Sequence, residues 1–458
     1  MTAAVAPRVI LRLGSHAEKE YVEKTFALMD GLILGANLME ATPGATSSLV
    51  FRCATAKKPP MPVFIDPMTY AFGAYPDPET GSTRTDLDWI KSDQKVKGIK
   101  GVTERRFKRS YAALAKRFGG IFERALEKST AVSLKDLGDS AARRGVVEAV
   151  IAYQEGRAVE EFQKDPEYAV WADQIPPPEA AFAPYFYLEP NNVGGWLAAN
   201  LQLATDAAAA AKGRIPVHAV LCVDEGMLAD DAFIDKVASS LPTTGVAGAW
   251  LWFSRFEEPA ATLAQLQNYR QLVERLAEAM GVYALHGGFF SLALSRVGLA
   301  GVSHGVGYGE QKDVMPVIGQ STPTVRYYAP PLRTRTGVVE IERSFKAIGI
   351  NSPADFFTKI CGCVICRNII GADLRNFATR FGARHYSTPD SRRQAQTPEA
   401  AKLCRFHFLL ARFAERDWLK SATLVAIKEA LSEAQQTWGK LPALQSPDHL
   451  ERWQDALS

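Results

Sequence analysis

Three thiols within six residues, Cys361-Gly-Cys363-Val-Ile-Cys366, are the densest metal-binding chemistry in the chain. A Cys-x-Cys-x-x-Cys run lets three thiolates converge on one ion, and tetrahedral zinc accepts them at a Zn–S distance of about 2.3 Å. The fourth ligand must come from elsewhere. Downstream, Cys404 and His407 lie one turn apart in a stretch, 401–410, that reads as an amphipathic helix. Cys404 is the expected fourth ligand and His407 the alternative. Four of the six cysteines fall in this region, which argues against unrelated buried thiols, so Zn2+ is the expected ion. Cys53 and Cys222 alone cannot make a disulfide framework, and a reducing cytoplasm is the expected compartment.

A second set of reactive side chains follows short apolar runs. Asn37, Asp66, Glu189 with Asn191 and Asn192, Asp224 with Glu225, Arg255, His286 and His304 each stand at the end of such a run. Any one of them alone is ordinarily a cap or a surface charge. Their recurrence predicts a convergent polar pocket. Crowded carboxylates push one another's pKa apart, so that one can act as base while another keeps its proton. A carboxylate can also attack a sugar carbon or stabilise an oxocarbenium-like centre. Gly305-Val-Gly-Tyr-Gly-Glu310 comes next, and its glycines permit either a tight turn or a close backbone approach to phosphate, with Tyr308 and Glu310 reaching the pocket.

The apolar runs themselves are the elements that position these groups. Strands are expected at 8–13, 31–36, 62–66, 182–189, 217–224, 246–253, 282–286 and 299–304, with helical segments between most of them. Eight short strands alternating with helices predict an α/β fold, a (β/α)8 TIM barrel, whose strand C-termini carry the chemistry. A doubly wound sheet is the alternative, but no Gly-x-Gly-x-x-Gly follows the first strand. The rhythm breaks between barrel strands three and four, where residues 91–178 form a helical, basic insertion. Arg105, Arg106, Lys108 and Arg109 sit among Phe107, Tyr111, Phe118 and Phe122. This pattern fits either a surface that tracks a phosphate backbone or a solvated helix face with its aromatics turned inward. The expected division is 1–90 for strands one to three, 91–178 for the insertion, 179–323 for strands four to eight, and 324–458 for a zinc-binding and helical subdomain. Residues 390–396 are expected to be a mobile loop. The whole chain has 458 residues and a net charge of +3, ordinary for a globular protein. No apolar run approaches about 18 residues and no signal peptide is expected, so no membrane partner is expected either.

Taken in this order, the residues resemble the tRNA-guanine transglycosylase superfamily, including its relatives that act on 7-deazaguanine in DNA. The resemblance spans most of the chain outside 91–178. Cys361, Cys363 and Cys366 match the first three ligands of that family's zinc motif, whose fourth is a histidine. Gly31-Leu-Ile-Leu-Gly-Ala-Asn37 is similar to its second strand, and Pro62-Val-Phe-Ile-Asp66 to the strand that ends in Asp-Ser-Gly-Gly-Phe-Gln. The resemblance implies a barrel with a zinc subdomain after the last strand and pentosyltransferase activity. The partners it implies are nucleic acid (DNA or tRNA) and a guanine or 7-deazaguanine base, with a homo-oligomer or partner proteins also possible on this reading. Asp66 would be the acid or base. Glu189, Asp224, Glu225, His286 and Tyr308 would contact the base, and His304 or Glu310 would stand near the sugar. Arg105, Arg106, Lys108 and Arg109 would hold the strand. Three departures stand out. Pro67-Met-Thr-Tyr70 replaces Ser-Gly-Gly-Phe, Cys404 stands where the family's fourth zinc ligand is a histidine, with His407 one turn on, and Ser303-His304 occupies the place of the nucleophilic aspartate, unless that role falls to Asp355 on another threading. A catalytically silent binding or assembly module is the competing expectation, and a hydrolase of a small phosphorylated sugar a third.

Overall fold

A strand buried on both faces reads as a continuous apolar run, and eight such runs close here into one parallel barrel. In this computed structural model, which describes residues 6–77, 80–95, 102–307, 312–315, 324–386, 394–439, 441 and 447–458, the strands are β1 (Arg8–Leu13), β2 (Gly31–Gly35), β3 (Val63–Asp66), β4 (Ala180–Phe182), β5 (Val217–Asp224), β6 (Gly248–Ser254), β7 (Gly281–Ala284) and β8 (Leu299–His304). Sequence neighbours pair throughout, and β8 closes on β1 with Ile10 opposite Ser303. The expected (β/α)8 barrel is therefore the fold. Its interior is filled by rings: Phe64 lies 5.9 Å from Phe182 and 5.2 Å from Trp250, which stacks on Tyr283 at 4.6 Å. Gly248 permits this crowding, since a Cβ there would stand 2.8 Å from His218 Nε2. Side chains alternate along a strand, so Asp66 shares the inward face with Phe64, one layer nearer the mouth.

The fourth strand is shorter and earlier than expected. Pro184 brings no N–H, and the ladder stops at Phe182. Between Ala183 and Leu188, whose N–H groups both still reach β5 (His218 O and Cys222 O, each at 2.9 Å), side chains stand in for a ladder. Gln154 accepts from Phe182 N at 2.7 Å and donates to Phe182 O at 2.8 Å. Thr69 does the same for Tyr185 N and O, both at 2.8 Å, and Asn200 for Phe186 N and O at 3.0 and 2.8 Å.

The insertion is not helical from its start. Lys91–Lys95 pairs antiparallel with Thr103–Phe107, setting Asp93 opposite Arg105. Gly98 and Gly101, two glycines close together, disfavour a helix there, a sequence signal that the expectation of a helical insertion missed. Helices begin at Arg109, and the longest of them, Ser140–Gln163, packs between Pro43–Thr55 and Val193–Ala211 as the barrel helix that joins β3 to β4. Tyr111, Phe118 and Phe122 are buried, so these aromatics pack inward.

After β8 come a hairpin (Tyr327–Ala329 with Thr334–Thr336), four short helical segments, and a second small hairpin (Arg384–Tyr386 with Gln394–Gln396). Of the loop expected at 390–396, residues 390–393 lie outside the described residues, while Gln394–Gln396 is a strand. Helix Pro398–Leu419 then returns to the barrel. It packs on β1, with Phe406 4.7 Å from Tyr21 and Lys402 paired to Glu20 at 2.7 Å. This helix closes the outer ring between β8 and β1. Leu424–Trp438 and Asp448–Ala456 fold back so that Trp453 Nε1 donates to Glu258 O at 3.1 Å. Among the described residues, no helix is long and apolar enough to cross a membrane.

Candidate functional site

The thiols converge as their spacing predicts, and the fourth member of the group is His407. Its Nδ1 lies 3.7, 3.5 and 3.4 Å from the sulfurs of Cys361, Cys363 and Cys366, and all four candidate ligand atoms fall within 4.8 Å of one another. This Cys3His group can hold a metal ion. Two backbone amides steady the thiolates: Cys363 N points to Cys361 Sγ at 3.4 Å and Cys366 N to Cys363 Sγ at 3.5 Å. His407 Nε2 donates to Tyr328 O at 2.7 Å, which leaves the Nδ1 lone pair directed at the sulfurs. Tyr327 stacks on the same ring at 4.0 Å. Cys404, the expected fourth ligand, is excluded. Three residues along a helix is about 4.5 Å of axial rise, and its thiol instead meets Phe381 O at 3.8 Å.

At the barrel mouth the strand-end residues fall into three groups. The first is centred on Asp66, which is fully buried. Arg12 on β1 donates to its Oδ2 at 2.7 Å, while Tyr185 OH and Met68 N donate to Oδ1 at 2.8 and 2.9 Å. Burial opposes the Arg12 charge, but Asp66 outweighs it and holds the guanidinium firmly protonated. Arg12 Nη1 has no acceptor among the described residues. Arg12 escaped the reading of strand ends, though an arginine inside Ile10-Leu-Arg-Leu13 was itself a signal, because a buried cation requires a partner.

The second group lies across β4 to β6. Tyr187, two residues beyond Tyr185, donates to Asp224 Oδ2 at 3.0 Å, and Arg255 pairs with the same oxygen. Asp224 Oδ1 accepts from Gly226 N at 2.9 Å. Glu189 is buried against Thr83 and Asn192, and its Oε1 has no donor among the described residues. Partial burial pushes the Glu225 carboxyl above its ordinary value against the pull of Arg255, with Asp224, Glu257 and Asp313 adding to the rise. Asp313 accepts from Ser254 Oγ at 3.4 Å and Met315 N at 3.0 Å, which lays residues 312–315 over the end of β6. The alternative residue, Asp355, is occupied elsewhere, capping helix Pro353–Lys359 by accepting from Ser352 N and Oγ at 2.9 and 2.8 Å.

The third group is the histidines. His304 is buried, and its Nδ1 meets Gly305 O at 3.2 Å. Burial chiefly, then Arg412, hold its value down to about 3. His286 is likewise held well below its usual value by burial and by Arg12, Lys312 and His304. Both rings are neutral near pH 7. Tyr308 and Glu310 lie outside the described residues. Of the basic residues, Arg105, Arg106 and Arg109 are exposed and Lys108 half-buried. Arg105 donates to Asp88 O at 3.1 Å, and Arg106 pairs with Glu104.

No protein-family model matches this chain, and no curated protein matches it.

The buried histidines give a pH prediction. His218, which accepts from Trp250 Nε1 at 3.1 Å, is held down to about 4 by burial and then by Arg8. In the unfolded chain each imidazole takes a proton near about pH 6.5, whereas the folded protein refuses it, so stability falls as pH drops below that value. For His218 and His304 together the loss is about 3 kcal/mol per pH unit between pH 6.5 and the folded values. Urea midpoints should therefore be lower at pH 5.5 than at 7.5. His218→Gln keeps an acceptor for Trp250 and should remove part of the difference, the rest staying with His304 and His286. Equal wild-type midpoints at the two pH values would refute the assignment.

Proposed function

We propose that this protein is a transglycosylase-like pentosyltransferase that exchanges or releases a guanine or 7-deazaguanine base in nucleic acid, with a zinc ion at Cys361, Cys363, Cys366 and His407. One observation carries the reading. The Cys3His group sits on the connection between β8 and Pro398–Leu419, the helix that closes the ring. The resembled family carries its zinc subdomain at this point of the barrel. Zinc suits the donor set: tetrahedral bonds of about 2.3 Å to sulfur and 2.05 Å to nitrogen set S···N near about 3.6 Å, and the three distances here run from 3.4 to 3.7 Å. The ion would brace the subdomain and would take no part in the reaction. A further likeness lies after β3, where the resembled motif places a glycine. Met68 adopts the left-handed conformation there, with φ 54°, and so keeps the turn that aims its N–H at Asp66.

The mouth has the chemistry to read a purine edge. Arg12 Nη1 is a buried donor in want of an acceptor and Glu189 Oε1 a buried acceptor in want of a donor. Guanine presents both counterparts, a ring carbonyl and adjacent N–H groups. Asp66 fixes Arg12. Glu225, with its raised pKa, donates a proton to the departing base, and Asp313 stabilises or attacks the sugar carbon that the base leaves. The base would be extruded from the strand to reach these groups, and Arg105, Arg106, Lys108 and Arg109 would hold the flanking phosphates. Reduced thiols at the metal site suit a cytoplasmic protein.

Purified protein incubated with labelled guanine or a labelled 7-deazaguanine, and with DNA or tRNA, should incorporate label. Glu225→Gln and Asp313→Asn should each slow incorporation by about 100-fold or more. Absence of both label incorporation and base release with either nucleic acid, the protein being folded and metal-loaded, would reject the reaction. The silent-module reading draws on a specific observation, that β8 ends in Ser303-His304 with no carboxylate of its own. It requires nucleic-acid binding without exchange. Neutralising the four basic residues would then reduce the slope of log K against log salt by about 0.9 for each phosphate that no longer has a cation against it.

A further inference from the structure

A cavity of about 220 Å³ lies beside the mouth, between the ends of β7 and β8 and the C-terminal subdomain. Its cations come from three separate segments: Lys312, Arg333 and Arg335, and Arg412 of helix Pro398–Leu419. Two carboxylates share the lining: Glu258 is committed to the N–H groups of Gly288, Phe290 and Ser291, and Glu257 is paired at 3.3 Å with Lys312, whose ammonium also donates to Phe256 O at 3.0 Å and keeps its third hydrogen for a ligand. Much of the remaining wall is aromatic. Phe408 lies under Arg335 at 4.2 Å and faces Tyr328 at 5.3 Å, and Phe289 lies under Arg333 at 4.6 Å. His304 also lines the cavity, and its Nε2 is buried with no partner in the described residues. Because Nδ1 donates to Gly305 O, Nε2 carries the lone pair and can only accept.

These features specify more than an anion. Guanidinium and ammonium groups call for phosphoryl oxygens. The space equals roughly seven water volumes, more than the five heavy atoms of a phosphate fill. An acceptor nitrogen buried among cations requires a donor on the ligand, and a hydroxyl beside the phosphate supplies one. Aromatic walls suit the C–H face of a sugar ring. We infer that this cavity binds a phosphorylated pentose unit, with phosphate on Lys312 and Arg335 and a sugar hydroxyl on His304 Nε2. The metal group supports the floor. His407 holds Tyr328 through its carbonyl, and Tyr328 in turn donates to Glu415, which pairs with both Arg333 and Arg412. The inference does not depend on base exchange, and a protein inactive in that assay would still show it.

The test uses the full-length, metal-loaded protein in calorimetric titrations with inorganic phosphate, ribose 5-phosphate and a short single-stranded oligonucleotide. Saturable binding of ribose 5-phosphate, tighter than that of phosphate, is expected. Oligonucleotide binding that competes with ribose 5-phosphate would place the pentose within a strand, and absence of competition would identify a free sugar phosphate. Lys312→Gln and Arg335→Gln should each weaken ribose 5-phosphate by about tenfold or more, the worth of one charge-assisted hydrogen bond. His304→Phe should abolish the preference over inorganic phosphate while leaving phosphate binding in place. Lys312 is half-buried and joins no core cluster, so its variant remains informative if Arg335→Gln destabilises the subdomain. Absence of saturable binding to the folded wild type, or unchanged affinity in Lys312→Gln, would overturn the inference.

Discussion

Chelation should unfold the segment beyond β8 and weaken the barrel with it. The metal group joins a turn, Cys361–Cys366, to the middle of helix Pro398–Leu419. Around it the subdomain has an apolar cluster built on Phe345, Phe356, Phe377 and Phe381, continuous with the barrel core. Structural zinc in small peptides contributes about 10–16 kcal/mol, comparable with the whole stability of an ordinary domain, about 5–15 kcal/mol. The effect cannot stay local, because the same helix covers β1 and sends Arg416 to Asp30 at 2.6 Å and to Leu28 O. Elemental analysis should find about one zinc per chain. Cys366→Ser and His407→Ala should lose it and lower the melting temperature steeply, whereas Cys404→Ala should keep a full equivalent. Metal loss in Cys404→Ala, or an unchanged melting curve after chelation, would show that the group is assigned wrongly.

The contrast between Cys404 and His407 shows where reading from sequence stops. The triplet spacing is local, so the first three ligands were legible. The choice of the fourth depends on a carbonyl 79 positions away, that of Tyr328, which orients the imidazole. Strands were legible wherever a run was mainly apolar, as at Arg8–Leu13, Val217–Asp224 and Leu299–His304. The expected strand at 182–189 is interrupted because side chains of Thr69 and Asn200 take the place of the ladder between Ala183 and Leu188. No periodicity encodes that substitution. Strand ends gave the candidate acids of the mouth, since alternation alone places them. The cations of the cavity beside it were illegible, because Lys312, Arg335 and Arg412 belong to segments that meet only in the folded chain.

Replacing Arg12 should be among the most damaging single changes in the barrel. Asp66 has no exposed surface, and Arg12 Nη2 supplies one of its three hydrogen bonds and its only ion pair among the described residues. Removing one member of a buried pair strands the other charge in a medium that solvates it poorly, at a cost of about 3–5 kcal/mol. Arg12→Met keeps the length of the side chain, so little of the loss would come from an empty volume. Asp66→Asn should also destabilise, because its amide would set a donor against the guanidinium while Oδ1 still accepted from Tyr185 and Met68. Arg12→Met combined with Asp66→Leu removes both charges, and its cost should fall well short of the sum of the two single changes. A double-mutant cycle in urea measures that coupling directly, and additivity would mean that the pair is not an energetic unit. The same cycle bears on function. If Arg12 is the donor that reads the base, Arg12→Lys should retain most of the stability yet lose base binding, because one ammonium cannot serve Asp66 and a substrate carbonyl in the geometry of a planar guanidinium. A stable Arg12→Lys protein that still exchanged base at the wild-type rate would confine Arg12 to architecture and move recognition to Asp224 and its neighbours.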